Sequence, residues 1–105
     1  MSMTAGSATE LKVSELASAV ADEARHRFGE NLPVYWFGSW VDGSANKTSD
    51  LDIALDLAGT VSSVDFMSFT DWVEDLPTLY KFDVINMSDI SERFRGEILS
   101  SGRKL

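Results

Sequence analysis

Val13, Leu16, Ala17, Val20, Ala24 and Phe28 recur at steps of three and four, which lays them along one stripe of a helix. Ser7-Ala8-Thr9-Glu10 fits a capping box at its start, and Gly29 with Asn31-Leu32-Pro33 marks its end. Val34-Tyr35-Trp36-Phe37 is a short β-prone run. Gly38 to Ser49 is small and polar and reads as a loop, with a helical turn after Ser39. Leu51, Ile53, Leu55 and Leu57 then alternate with Asp50, Asp52, Ala54 and Asp56, the two-residue period of a strand that Gly59-Thr60 ends. Ser62 or Ser63 caps a second long helix, whose Phe66, Phe69, Val73 and Leu76 share a face and which Pro77 closes. Leu79 to Met87 is a third strand candidate. Ser88-Asp89 opens a last helix with Ile90, Phe94, Ile98 and Leu99 inward and Gly102 as its stop.

The order is helix, strand, loop, strand, helix, strand, helix. It predicts a single α/β (α+β) domain with a small mixed sheet flanked by helices. We take residues 1–8 as a flexible lead and 9–105 as the domain. A chain of 105 residues buries roughly two-thirds of its unfolded surface, enough for one core. The absence of cysteine removes disulfides, thiolate metal sites and thiol nucleophiles. No run approaches the ~18 apolar residues of a membrane span, and "MSMTAGSATE" has no signal-peptide character. A cytoplasmic location is the expectation. The net charge of −8 argues against an extended nucleic-acid surface, because phosphate contacts need Lys and Arg. A small anionic ligand carrying its own cation, or a basic protein partner, suits that charge.

The chemistry concentrates in "FGSWVDGSANKTSDLDIAL". Asp50 and Asp52, two apart in an extended chain, project to the same side. Asp83 interrupts the apolar run Phe82-Asp83-Val84-Ile85, and if the strands are neighbours it joins them. Two carboxylates about 5 Å apart repel by roughly 3 kcal/mol at an effective dielectric near 20. A shared proton or a cation relieves that cost. Oxygen-only ligands favour Mg²⁺, Mn²⁺ or Ca²⁺ over zinc. Such an ion with few protein ligands keeps positions open for phosphate oxygens, the arrangement phosphoryl-type transfer uses. Gly38 lets the backbone approach a ligand, and a helical turn after it offers backbone N–H groups and the Ser39 hydroxyl to a phosphate. Gly43 and Ser44 let the rest of the loop fold over the same site. Taken singly, a D-x-D is most often a solvated strand face and a Gly-Ser a turn. Asp56 reads as the solvated strand end and His26 as part of a solvated helix face. Trp36 and Trp72 read as core or partly buried. Trp40 either packs against the loop, the favoured reading, or stacks on a base.

"GSWVDGSANKTSDLDIAL" followed by "FDVI" resembles the signature of the minimal nucleotidyltransferases of the DNA polymerase β superfamily, over nearly the whole chain. In that family a Gly-Ser is followed by a loop of about ten residues, D-x-D on a strand and a third Asp on a later strand. The resemblance implies the nucleotidyltransferase fold. It implies that Gly38 and Ser39 grip nucleotide phosphates and that Asp50, Asp52 and Asp83 bind Mg²⁺, with Mn²⁺ as a substitute. Asp83 would also help deprotonate the attacking hydroxyl. Gly43, Ser44 and Lys47 complete the expected nucleotide-binding set. Many members carry an arginine where this chain has Asp42, which places an anion near the phosphates; Lys47 is the candidate replacement.

The resemblance further implies transfer of a nucleoside monophosphate, with AMP from ATP favoured, to a hydroxyl on a partner protein. Larger relatives append a helical domain for the acceptor, for which this chain has no room. Minimal members often act beside a helical partner of the HEPN or substrate-binding type, and some are antitoxins that adenylylate the toxin. The rival reading is a non-catalytic antitoxin or assembly subunit that works by contact alone. A third, transfer to a small molecule such as an antibiotic, is disfavoured by the missing acceptor domain.

Overall fold

A computed structural model describes residues 5–43, 45, 50–57 and 61–105, with the backbone alone for residues 5–11. Along the chain it runs α1 (Ala5–Phe28), β1 (Val34–Phe37), α2 (Ser39–Asp42), β2 (Leu51–Leu55), α3 (Ser63–Glu74), β3 (Phe82–Asn86), a 3₁₀ turn (Met87–Asp89), α4 (Glu92–Ser101) and β4 (Arg103–Lys104). The four strands form one sheet in the order β3-β2-β1-β4. β1 is antiparallel to β2 and to β4, and β2 is parallel to β3. The sheet is therefore mixed, as expected, and α3 is the crossover that parallel β2 and β3 require.

The two faces of the sheet are covered unequally. Leu51, Ile53 and Leu55 of β2 and Val34 and Trp36 of β1 bury against Val13, Ala17, Val20 and Ala24 of α1 and Phe69 and Val73 of α3. This is the face the helical stripe and the strand alternation predict. Phe69 is the largest fully buried side chain, with Phe28 edge-on to it at 5.7 Å and Trp72 stacked at 6.3 Å. The opposite face carries a smaller cluster. Ala54, Met87 and Ile98 are buried there, with Tyr35, Phe37, Ile85 and Ile90 half-buried around them. Among the described residues no helix is long and apolar enough to cross a membrane.

Several boundaries differ from the sequence expectation. α1 begins at Ala5, so the Ser7–Glu10 capping box lies inside the helix and the expected 1–8 lead overlaps it. Adding residues to an existing helix is inexpensive, which lets it run past a local start signal. α3 uses Ser62 as its N-cap, with the hydroxyl accepting from the Asp65 amide at 3.1 Å, and ends at Glu74, before Pro77. The last helix starts later than Ser88. Asn86 caps the 3₁₀ turn, and Ser91 caps α4 by accepting from the Phe94 amide at 3.1 Å. Ile98 is buried and Phe94 packs its ring on Phe37 while staying 36% exposed, whereas Leu99, also expected inward, is exposed. A four-stranded sheet gives α4 only a narrow ridge to rest on, and Leu99 is turned about 100° from Ile98 around the helix. Gly102 does end α4, its amide donating to the Ile98 carbonyl at 2.8 Å. The two-residue β4 that follows had no sequence signal.

Phe69→Ala should destabilise the fold by about 3–5 kcal/mol, the usual loss for a buried aromatic truncation. Leu79→Ala, at a fully exposed position, should stay within about 0.5 kcal/mol of wild type. Urea unfolding of the two variants side by side measures the difference.

Candidate active site

One end of the sheet collects the predicted residues. β1 leaves the sheet at Phe37, Gly38 turns the chain, and α2 begins at Ser39. β2 and β3 enter at the same end. Their parallel register places Asp52 directly beside Asp83, and the antiparallel register with β1 places Asp52 opposite Phe37. Neighbours in register share a sheet face, so Asp52, Asp83 and Phe37 all lie on the lightly covered face. Asp50 precedes β2 by one residue and has the same parity as Asp52.

Gly38 is where sequence and geometry meet most tightly. Its φ is +85°, in the region glycine adopts without strain. A Cβ built there would stand 2.1 Å from Asp52 Oδ2. Any other residue would thus meet both a backbone penalty and a clash with the carboxylate. The Val41 and Asp42 amides both donate to the Gly38 carbonyl at 3.1 Å, closing the single turn expected after Ser39. Ser39 is half-buried in that turn. Gly43 ends the turn with φ +85°, and its amide donates to the Ser39 carbonyl. Its backbone conformation alone accounts for a glycine there. Ser44 and Lys47, the other expected nucleotide contacts, lie outside the described residues. Asp42 occupies the last position of α2 and is exposed. Trp40 packs edge-on to Tyr80 at 5.9 Å, which agrees with the favoured packing role.

The electrostatics follow from this arrangement. Burial first, then the Asp83 and Asp50 carboxylates, push the Asp52 carboxyl up from 3.8 to about 6. The cluster therefore works as an in-register pair with a third charge close by. Asp50 and Asp83 themselves are exposed. Among the described residues no three acidic or imidazole side chains stand close enough to hold an ion as they are. The donor set still fits a hard divalent cation, because it is all oxygen and because a positive charge would favour the ionised form of Asp52.

The reading of Asp56 needs correction. It is not a solvated strand end. Both of its carboxylate oxygens accept from Arg95 of α4, at 3.0 and 2.9 Å. This bidentate pair fastens α4 to the far end of β2. The partners are 39 residues apart, and no local pattern announces them. His26 is exposed on α1, as expected.

A family model described as polymerase beta, nucleotidyltransferase matches residues 26–105. A search of curated protein sequences finds no match. Among solved structures the fold is similar to a chain assigned as a minimal nucleotidyltransferase, with a TM-score of 0.74 at 20% identity over 91% of this chain and 95% of that one. It is similar to a nucleotidyltransferase assigned in Sulfolobus solfataricus, with a TM-score of 0.64 at 20% identity over 98% and 87% of the two chains. It is also similar to a chain of a toxin–antitoxin structure with AMP-PNP, with a TM-score of 0.62 at 21% identity over 90% and 70%. At these identities the likeness speaks for the fold.

Asp52→Asn should stabilise the protein without added metal at neutral pH. A carboxyl whose pKa is raised on folding binds extra protons in the folded state between 3.8 and about 6, so wild-type stability falls as pH rises through that window. Above it the variant should lead by about 1 kcal/mol, after allowance for solvent screening of a partly exposed group. Below pH 3.8 the two should coincide. Thermal unfolding of both proteins from pH 3 to pH 8 measures it; a constant offset across the range would contradict the charge origin.

Proposed function

We propose that this chain, which belongs to the polymerase β nucleotidyltransferase family, transfers a nucleoside monophosphate from a nucleoside triphosphate to a hydroxyl on a partner protein. The observation that carries the reading is the Asp52 carboxylate seated against Gly38 and beside Asp83 in register. Polymerase-type transfer calls for an acid pair able to hold a metal next to a backbone corner able to hold phosphate, and this placement supports that reading. AMP from ATP is the favoured donation. The similar toxin–antitoxin structure with AMP-PNP supports that choice and the protein partner, here proposed as a helical protein of the HEPN or substrate-binding type. A cytoplasmic setting suits such a reaction.

Asp50, Asp52 and Asp83 would hold Mg²⁺, or Mn²⁺ in its place. Bound there, such an ion would supply positive charge to offset that of the phosphate oxygens. Gly38 and Ser39 bind and orient the triphosphate, with Gly43, Ser44 and Lys47 as the further proposed nucleotide contacts. Asp83, the more exposed of the register pair, accepts the proton of the acceptor hydroxyl at a carboxylate oxygen. The hydroxyl oxygen bonds to the α-phosphorus as the bond to the bridging oxygen breaks, and pyrophosphate leaves. Catalysis is then largely positioning and charge compensation.

A specific residue favours the rival reading of a binding module without chemistry. Asp42 stands in α2 where the family resemblance expects arginine, and it places a negative charge one turn from Gly38. The similarity to a toxin–antitoxin component suits an antitoxin that acts by contact as well as it suits an enzyme.

Asp83→Asn should lower turnover by about 10²–10⁴, a larger effect than its effect on nucleotide affinity, because it removes the proton acceptor as well as one metal ligand. Asp42→Arg should tighten triphosphate binding by under about 1 kcal/mol, since the position is exposed. Pyrophosphate release and nucleotide affinity, measured for wild type and both variants with the partner and Mg²⁺ present, test these. If none of the three releases pyrophosphate and the wild type still binds its partner tightly, the binding-module reading replaces the enzyme.

A further inference from the structure

The transfer reaction leaves one aromatic side chain beside the carboxylates without a task. Phe37 pairs with Asp52 across β1 and β2. Directly opposed residues of an antiparallel pair share a face with Cβ atoms about 5 Å apart. The ring of Phe37 meets that of Phe94 edge-on, with centroids 5.7 Å apart. Phe94 lies in the first turn of α4, its amide held by the Ser91 hydroxyl, and Ile98 one turn on is buried. Its backbone is thus fixed, yet the residue remains 36% exposed. A lone exposed phenylalanine is ordinary on a protein surface. This one stands on the carboxylate face of the sheet, one ring away from the cross-strand neighbour of Asp52.

We infer that Phe94, backed by Phe37, is the platform on which the nucleobase of the bound nucleotide stacks. The inference rests on the nucleotidyltransferase reading above and adds the residue that receives the nucleoside. Asp52, Phe37 and Phe94 thus follow one another across a single face of the sheet. A triphosphate anchored at Gly38, Ser39 and the carboxylates would have the partly exposed Phe94 ring on the same face to receive its base. An aromatic ring offers every base the same π-face, so a stack of this kind contributes affinity without choosing among bases. Phe94 thus governs how tightly nucleotides bind, and base preference must arise from other contacts.

The test compares binding of ATP, GTP, CTP and inorganic tripolyphosphate to the full chain, each with Mg²⁺. Phe94→Ala should weaken all three nucleotides by about tenfold and to a similar degree, and leave tripolyphosphate unchanged. Phe94→Leu, which keeps an apolar contact to Phe37, should show most of the same loss. Phe94→Trp should restore or exceed wild-type binding. Melting temperatures of the variants show whether α4 remains seated. If Phe94→Ala binds nucleotides like wild type, or loses tripolyphosphate equally, the platform is overturned and the transfer reading stands. If the wild type binds neither nucleotide nor tripolyphosphate, the transfer reading falls and takes the platform with it.

Discussion

The approach of the Gly38 backbone to the Asp52 carboxylate governs this end of the molecule. With a Cβ excluded by 2.1 Å from Oδ2, the β1–α2 corner can pack directly onto the start of β2. That contact fixes where α2 begins and which way Asp52 projects. Everything else at the site is referred to it. The register between β1 and β2 sets Phe37 opposite Asp52, and the register between β2 and β3 brings up Asp83. A carboxylate pressed against backbone and flanked by two others is an unfavourable local arrangement. The larger core between the sheet, α1 and α3 supplies the stability that tolerates it.

The parts legible in the sequence were those written in short periods. The three-and-four spacing of α1 gave its buried stripe, and the alternation of β2 separated Leu51, Ile53 and Leu55 from Asp52. The isolated Asp83 in an apolar run was a correct sign of a strand that brings a charge to a shared face. The family resemblance then supplied the fold. What stayed hidden depends on contacts between distant residues. Arg95 reaches Asp56 across the chain, so Asp56 looked like a solvated strand end. β4 exists only because β1 offers an edge to Arg103 and Lys104. The start of α4 was misplaced because Ser88 and Ser91 are both acceptable caps, and tertiary packing chose the second. The same packing turned Leu99 outward and left Phe94 against Phe37 at the margin of the cluster, 36% exposed.

The two faces divide the labour of the sheet. One is sealed by two helices and by Phe69, with Phe28 and Trp72 against its ring. The other is only partly covered by α4, which holds through Ile98, the Phe37–Phe94 contact and the Arg95–Asp56 pair. The carboxylates lie on this more open face. A ligand there meets a firm floor without having to displace the main core, so the site can remain accessible at little cost to global stability.

Asp83 has a second effect because of where β3 lies. β3 is the terminal strand of the sheet, and its run Phe82-Asp83-Val84-Ile85-Asn86 is short, β-prone and free of proline. An outer strand of that composition is a template for pairing with another chain. The exposed Asp83 charge near its beginning makes the approach of an identical strand repulsive. One carboxylate thereby discourages edge-to-edge aggregation as well as standing beside Asp52 in register.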